Sequence, residues 1–124
     1  MARKILLVDD SATVLMMERM ILAAERFEVL TATNGLEAQE TAKRELPDLI
    51  LMDVVMPKVT GLDACKALRA DPATRHIPII LVTTRSEAQT MEQGYENGCN
   101  DYVTKPVNSS ELLGKIRNLL GAAS

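Results

Sequence analysis

Several residues in this chain pair a chemically capable side chain with one recurring kind of place. Asp9 and Asp10 directly follow the run Lys4-Ile5-Leu6-Leu7-Val8, and Asp53 directly follows Leu49-Ile50-Leu51-Met52. Thr83 and Thr84 follow Ile77-Pro78-Ile79-Ile80-Leu81-Val82, and Lys105-Pro106 comes just after Asp101-Tyr102-Val103. If these run ends meet, the carboxylates of Asp9, Asp10 and Asp53 repel one another. Two unit charges ~4 Å apart interact by ~4 kcal/mol at an effective dielectric of about 20. A hard divalent cation removes that conflict. Mg2+ suits a site with few carboxylates, positions left to water and a phosphate oxygen still to come. Lys105 adds positive charge for the same ligand, and Thr83 adds a hydroxyl. Taken singly these residues are ordinary: a strand-end Asp commonly caps a turn, and a strand-end Thr is a β-former. Their recurrence at four run ends is what points to chemistry.

The elements that must position them are legible in the hydropathy pattern. The runs named above, together with Phe27-Glu28-Val29-Leu30-Thr31-Ala32, read as strands, and the nearly continuous apolar ones suit a parallel sheet covered on both faces. Segments of helical period lie between them. Ser11 is placed to cap a helix carrying Val14, Met17, Ile21 and Ala24 on one face. Asn34-Gly35 precedes a helix over 36–45 that Pro47 stops, and Leu62, Cys65 and Leu68 repeat at helical spacing before Asp71-Pro72. Ser86 is placed to cap a helix over 87–95, with Gly98 beyond it. Ser109 or Ser110 opens a last helix with the stripe Leu112, Leu113, Ile116, Leu119 and Leu120, ended by Gly121. The alternation predicts an α/β, doubly wound five-stranded parallel sheet with five helices on both faces, and right-handed crossovers. In such sheets ligands bind beyond the carboxyl ends of the strands, where the residues above lie.

The 124 residues fit one domain, read as 1–124. The balance of 14 basic and 17 acidic residues, with the basic ones scattered, argues against a nucleic-acid surface. No run is long enough to span a bilayer and no signal peptide opens the chain, so the expectation is a cytoplasmic protein with no membrane partner. Cys65 and Cys99 lack CxxC spacing and read as small buried hydrophobes, with a metal or redox pair as the alternative. His76, the sole histidine, reads as a strand-edge residue.

At these residues the sequence resembles the receiver domains of response regulators in bacterial two-component signalling, of the single-domain chemotaxis type. The resemblance runs from Lys4 to about Leu120. It is carried by Leu7-Val8-Asp9-Asp10-Ser11, by Asp48 through Pro57, by Gly61-Leu62, by Pro78 through Thr83 and by Gly98 through Pro106. The resemblance implies a flavodoxin-like strand order 2-1-3-4-5. It implies that Asp53 is the phosphoacceptor, with Lys105 and Thr83 contacting the phosphoryl group. Mg2+ would be held by Asp9, Asp10, Asp53 and the backbone carbonyl of Val55. Thr83 and Tyr102 would form the switch. Pro106 would follow a cis bond, and Pro57 and Gly61 would shape the loop. The implied function is a phosphorelay switch that catalyses only its own aspartyl phosphorylation and dephosphorylation. The phosphodonor would be a histidine kinase or His-phosphotransfer domain. The target would bind a face made by the fourth helix, fifth strand and fifth helix. A role in chemotaxis or motility is the leading expectation.

The chain departs from the usual pattern at Thr84, where many members have Ala or Gly, at apolar Val55, and at Thr60, where Asp is often found. Thr84 should narrow access to Asp53, and Val55 offers nothing to orient an attacking water, so a long-lived phosphorylated state is expected. Two other readings share the fold class or the family: a degenerate receiver that only binds, and a receiver cut from a regulator with an output domain. A flavin-binding protein is disfavoured because Asp9-Asp10 would repel a flavin phosphate, and no GxxxxGK[ST] loop is present.

Overall fold

A computed structural model describes residues 2–84 and 91–121. The elements alternate as β1 (Arg3–Val8), α1 (Ala12–Leu22), β2 (Phe27–Ala32), α2 (Gly35–Glu45), β3 (Leu49–Asp53), α3 (Gly61–Ala70), β4 (Ile79–Thr83), α4 (Met91–Glu96), β5 (Asp101–Thr104) and α5 (Ser109–Leu120). The strands form one parallel sheet in the order β2-β1-β3-β4-β5. This is the flavodoxin-like doubly wound fold, with the chain reversing its direction of growth between β1 and β3.

Side-chain alternation along each strand splits the core in two. Ile5 and Leu7 of β1, Leu49 and Leu51 of β3, and Val82 and Val103 pack with Leu15 and Leu22 of α1 and Leu112 and Ile116 of α5. Leu6, Val8, Ile50, Met52 and Leu81 pack on the other face with Ala38 and Ala42 of α2 and Ala64, Cys65 and Leu68 of α3. The small residues on α2 and α3 let those helices lie close to the sheet.

Capping follows the sequence signals, with corrections. Ser11 Oγ accepts from the amide of Val14 and Asn34 Oδ1 from that of Glu37. The last helix is capped by Asn108, whose Oδ1 accepts from the Glu111 amide at 2.9 Å, so Ser109 is its first residue and neither serine is the cap. β4 begins at Ile79, two residues later than the apolar run suggests, because Ile77 is spent in the turn closed by its amide on the Thr74 carbonyl. The larger correction concerns α1. Its buried residues are Leu15, Glu18 and Leu22, whereas Met17 of the expected stripe is 49% exposed. The expected cap Ser86 and the start of its helix lie outside the described residues. His76 is exposed in the turn before β4.

Candidate functional site

The carboxyl ends of β1, β3 and β5 bring Asp9, Asp10, Asp53 and Lys105 together, with Thr83 at the matching end of β4. Asp53 is the last residue of β3 and Thr83 the last of β4, so the sheet itself holds them in place. Asp9 continues the β1 row of Ile5 and Leu7, and Asp53 continues the β3 row of Leu49 and Leu51. Both therefore face the α1/α5 side of the sheet, as does Lys105 two residues beyond Val103. The Lys105 ammonium lies 3.3 Å from Asp53 Oδ1 and 3.8 Å from Asp9 Oδ2. Carboxylate oxygens of Asp9, Asp10 and Asp53 all lie within 4.8 Å of one another. Asp9 and Asp53 are buried, while Asp10 is exposed and closes the group from the solvent side. Asp9 Oδ1 accepts from the Ser11 amide at 2.9 Å, and Oδ2 is buried with no hydrogen-bond partner.

The electrostatics report an excess of negative charge. Burial pushes the Asp53 carboxyl up to about 6, helped by Asp9 and opposed by Lys105. Burial likewise raises Asp9, against the Ser11 amide and Lys105. Desolvation alone would lower the Lys105 ammonium, but the charges of Asp53 and Asp9 outweigh it and hold it above its ordinary value. One lysine thus leaves the carboxylates under-compensated. Their oxygen donors, partial exposure and unpartnered oxygen fit a hard cation of the Mg2+ type.

The loop after β3 is built to turn tightly beside Asp53. A Cβ on Gly61 would lie 2.2 Å from the Asp53 carbonyl oxygen, so only glycine fits, and its amide donates to the Val54 carbonyl at 2.8 Å. The Val59 amide donates back to the Pro57 carbonyl across Lys58, whose φ is 69°. That closes a three-residue turn of the strained kind. Val55 stands 59% exposed on this loop. Thr60 caps α3 by accepting from the Asp63 amide at 3.2 Å, a task Asp would perform equally well.

Thr83 is fully buried and donates its hydroxyl to the Thr84 carbonyl at 3.3 Å. The Lys105 amide donates to the Thr83 carbonyl at 2.7 Å, and the Lys105–Pro106 bond is cis. Tyr102 is half-buried. Its ring meets that of Tyr95 edge-on at 6.3 Å, and the Lys115 ammonium stands 5.3 Å from its centroid. The two cysteines are buried, and burial pushes Cys65 up to about 11 and Cys99 up to about 12, so neither is a reactive thiolate.

One residue here escaped the sequence reading. Glu18 of α1 is 2% exposed. Burial pushes its carboxyl up to about 8, Asp9 and Asp53 acting with it and Lys105 against it.

Sheet order, acidic pocket and strand-end lysine together define a doubly wound α/β protein with a carboxylate–lysine cluster at its switch point. The chain belongs to the response regulator receiver domain family, whose model matches residues 5–117. It is therefore a receiver domain of two-component signalling. It is 43% identical over 120 residues to the response regulator PleD of Caulobacter vibrioides, a match covering 96% of this chain and 26% of that protein. The chain thus spans about a quarter of the length of that relative. It is 35% identical over 123 residues to the polar-differentiation response regulator DivK of Brucella anthropi, covering 99% of this chain and all of that protein. Among solved structures it is similar to the receiver domain of the sensor histidine kinase PA1611 of Pseudomonas aeruginosa, which has a magnesium ion coordinated in its active-site cleft. That match has a TM-score of 0.89 at 30% identity and covers 98% of this chain and 99% of the other. No helix among the described residues is long and apolar enough to cross a membrane.

Proposed function

We propose that Asp53 accepts a phosphoryl group from a phosphohistidine on a histidine kinase or His-phosphotransfer domain. The observation that carries this is the placement of Asp53 at the end of β3, with Lys105 at 3.3 Å and the oxygens of Asp9 and Asp10 within 4.8 Å. An Asp53 oxygen attacks phosphorus, the new O–P bond forms as the P–N bond breaks, and the imidazole leaves. Lys105 orients Asp53 before transfer and the phosphoryl oxygens after it. Asp9, Asp10, Asp53 and the Val55 carbonyl would hold Mg2+, which offsets charge on the equatorial oxygens when bound. The magnesium in the PA1611 receiver supports this choice of metal.

Thr83 supplies the readout. Its hydroxyl is now spent on a neighbouring carbonyl at 3.3 Å, a weak bond that a charged phosphoryl oxygen outcompetes. Its movement opens space that Tyr102 follows inward, which changes the face made by α4, β5 and α5 for a protein target. On this reading the receiver at 1–124 acts as a switch whose only catalysis is of its own phosphorylation and dephosphorylation. The full-length match to DivK supports a regulator acting alone, and the partial match to PleD supports a receiver belonging to a longer protein. Motility control is the proposed pathway class.

The test is intact mass after incubation with Mg2+ and acetyl phosphate. One phosphoryl group should be added, and Asp53→Asn or removal of Mg2+ should abolish it. Beryllofluoride should perturb Tyr102 fluorescence in the wild type alone. A wild-type protein inert in both assays would mean a receiver that only binds.

A further inference from the structure

Glu18 takes no part in the chemistry above, and its position demands a reason. It lies in the middle of α1 between Leu15 and Leu22, and the three form the buried stripe of that helix. The side chain is 2% exposed and Oε1 has no hydrogen-bond partner. A carboxyl oxygen buried in an apolar layer without a partner is disfavoured, so something supplies one to Oε1. The only other buried side-chain oxygen without a partner among the described residues is Oδ2 of Asp9. The two face the same layer. Asp9 continues the row of Ile5 and Leu7, which packs against Leu15 and Leu22 of α1. Asp9, Lys105 and Asp53 all act electrostatically on Glu18, so its carboxyl stands within reach of the acidic site.

We propose that Glu18 is a positioning residue for phosphoryl transfer, linked through one ordered water to the hidden oxygen of Asp9. A buried water needs two to four polar partners. Glu18 Oε1 and Asp9 Oδ2 accept its two protons, and the Lys105 ammonium, 3.8 Å from Asp9 Oδ2, is the neighbouring donor. Asp9 Oδ1 is already fixed by the Ser11 amide at the start of α1. With both oxygens anchored to one helix, the carboxylate plane of Asp9 is set before a cation arrives. Glu18 touches neither phosphorus nor metal. It acts through Asp9, and the inference rests on the phosphoacceptor reading above.

Glu18→Leu and Glu18→Gln separate this role from simple packing. Leucine suits the layer but cannot hold the water, so the Mg2+ Kd measured by calorimetry should rise about tenfold, and the phosphorylation rate at subsaturating Mg2+ should fall in step. Glutamine keeps a hydrogen-bonding head and should restore the Kd to within about threefold. A packing role would move only the melting temperature. On the wild type, which needs no variant to fold, Mg2+ should shift the Glu18 carboxyl carbon resonance with the same Kd as the bulk titration. An unmoved Glu18 resonance, or a Leu variant with wild-type Mg2+ affinity, overturns the inference while leaving Asp53 as phosphoacceptor. A wild type that takes no phosphoryl group overturns both.

Discussion

Asp53 sits in a site that binds a proton too readily for its task, and this has a measurable result. Its carboxyl is held at about 6 by burial and by Asp9, and the cation competes with that proton. Above pH 6 the carboxylate is free and binding is strong, whereas below it the proton must leave first. The Mg2+ Kd should therefore rise by roughly tenfold between pH 7 and pH 5, read by calorimetry, and Asp53→Asn should flatten that part of the profile. A second result concerns loss of the phosphoryl group. Val55 is exposed and apolar and offers no group to orient an attacking water, and the branched Thr84, half-buried just after β4, narrows access to Asp53. The phosphorylated form should outlast a time course of many minutes without a phosphatase. Val55→Asn should shorten its half-life by roughly tenfold, because an amide orients the water. A wild-type half-life of seconds contradicts this. At this scale the sequence was informative wherever chemistry sat at a strand end. It was silent on Glu18, because a mid-helix glutamate between methionine and arginine carries the signature of a solvated face.

Helix α1 explains that silence. The apolar residues Val14, Met17 and Ile21 mark one stripe and Leu15 and Leu22 another, and a charge at position 18 tips the reading toward the first. The helix buries the second, with Met16, Met17 and Met20 left exposed. Phase assignment fails where one polar residue is hidden for a reason that lies in another element. The strands were easier, since runs buried on both faces contain no polar position to mislead. Helix α5 shows the opposite situation, a residue that is small for no packing reason. A Cβ on Gly114 meets nothing within 4 Å, and the position is exposed in mid-helix. Gly114→Ala should stabilise the protein by about 0.5–1 kcal/mol in urea denaturation, with phosphorylation unchanged.

For the whole molecule, the parallel five-stranded α/β architecture was legible because five strand runs alternate with helical segments, whereas the strand order 2-1-3-4-5 came from the family resemblance and not from the pattern itself. What the pattern does not contain is the balance of charge across the closed site, which exists only after folding. That balance links occupancy to stability. Mg2+ at about a hundred times its Kd should add about 2.7 kcal/mol and raise Tm by roughly 10 °C at pH 7, measured by calorimetry. Asp53→Asn should gain much less, and the difference should shrink toward pH 5.

The opposite edge of the sheet has a different character. The Arg69 guanidinium donates to the carbonyls of Gly98, Arg75 and Ile77 at 2.8, 3.0 and 2.6 Å, and to Asn100 Oδ1 at 2.8 Å. Asn100 Oδ1 also accepts from the Ile79 amide, and the Asn100 amide donates to the Ile79 carbonyl. One planar side chain thus rivets α3 to the entry points of β4 and β5. β4 and β5 are therefore fastened to α3 at their roots, while at their far ends they are tied to neighbouring strands and to each other through the Lys105 amide on the Thr83 carbonyl. A rearrangement around Asp53 would then act on the far ends of these two strands, as a fan opens from its rivet, with the fastened roots as its fixed reference.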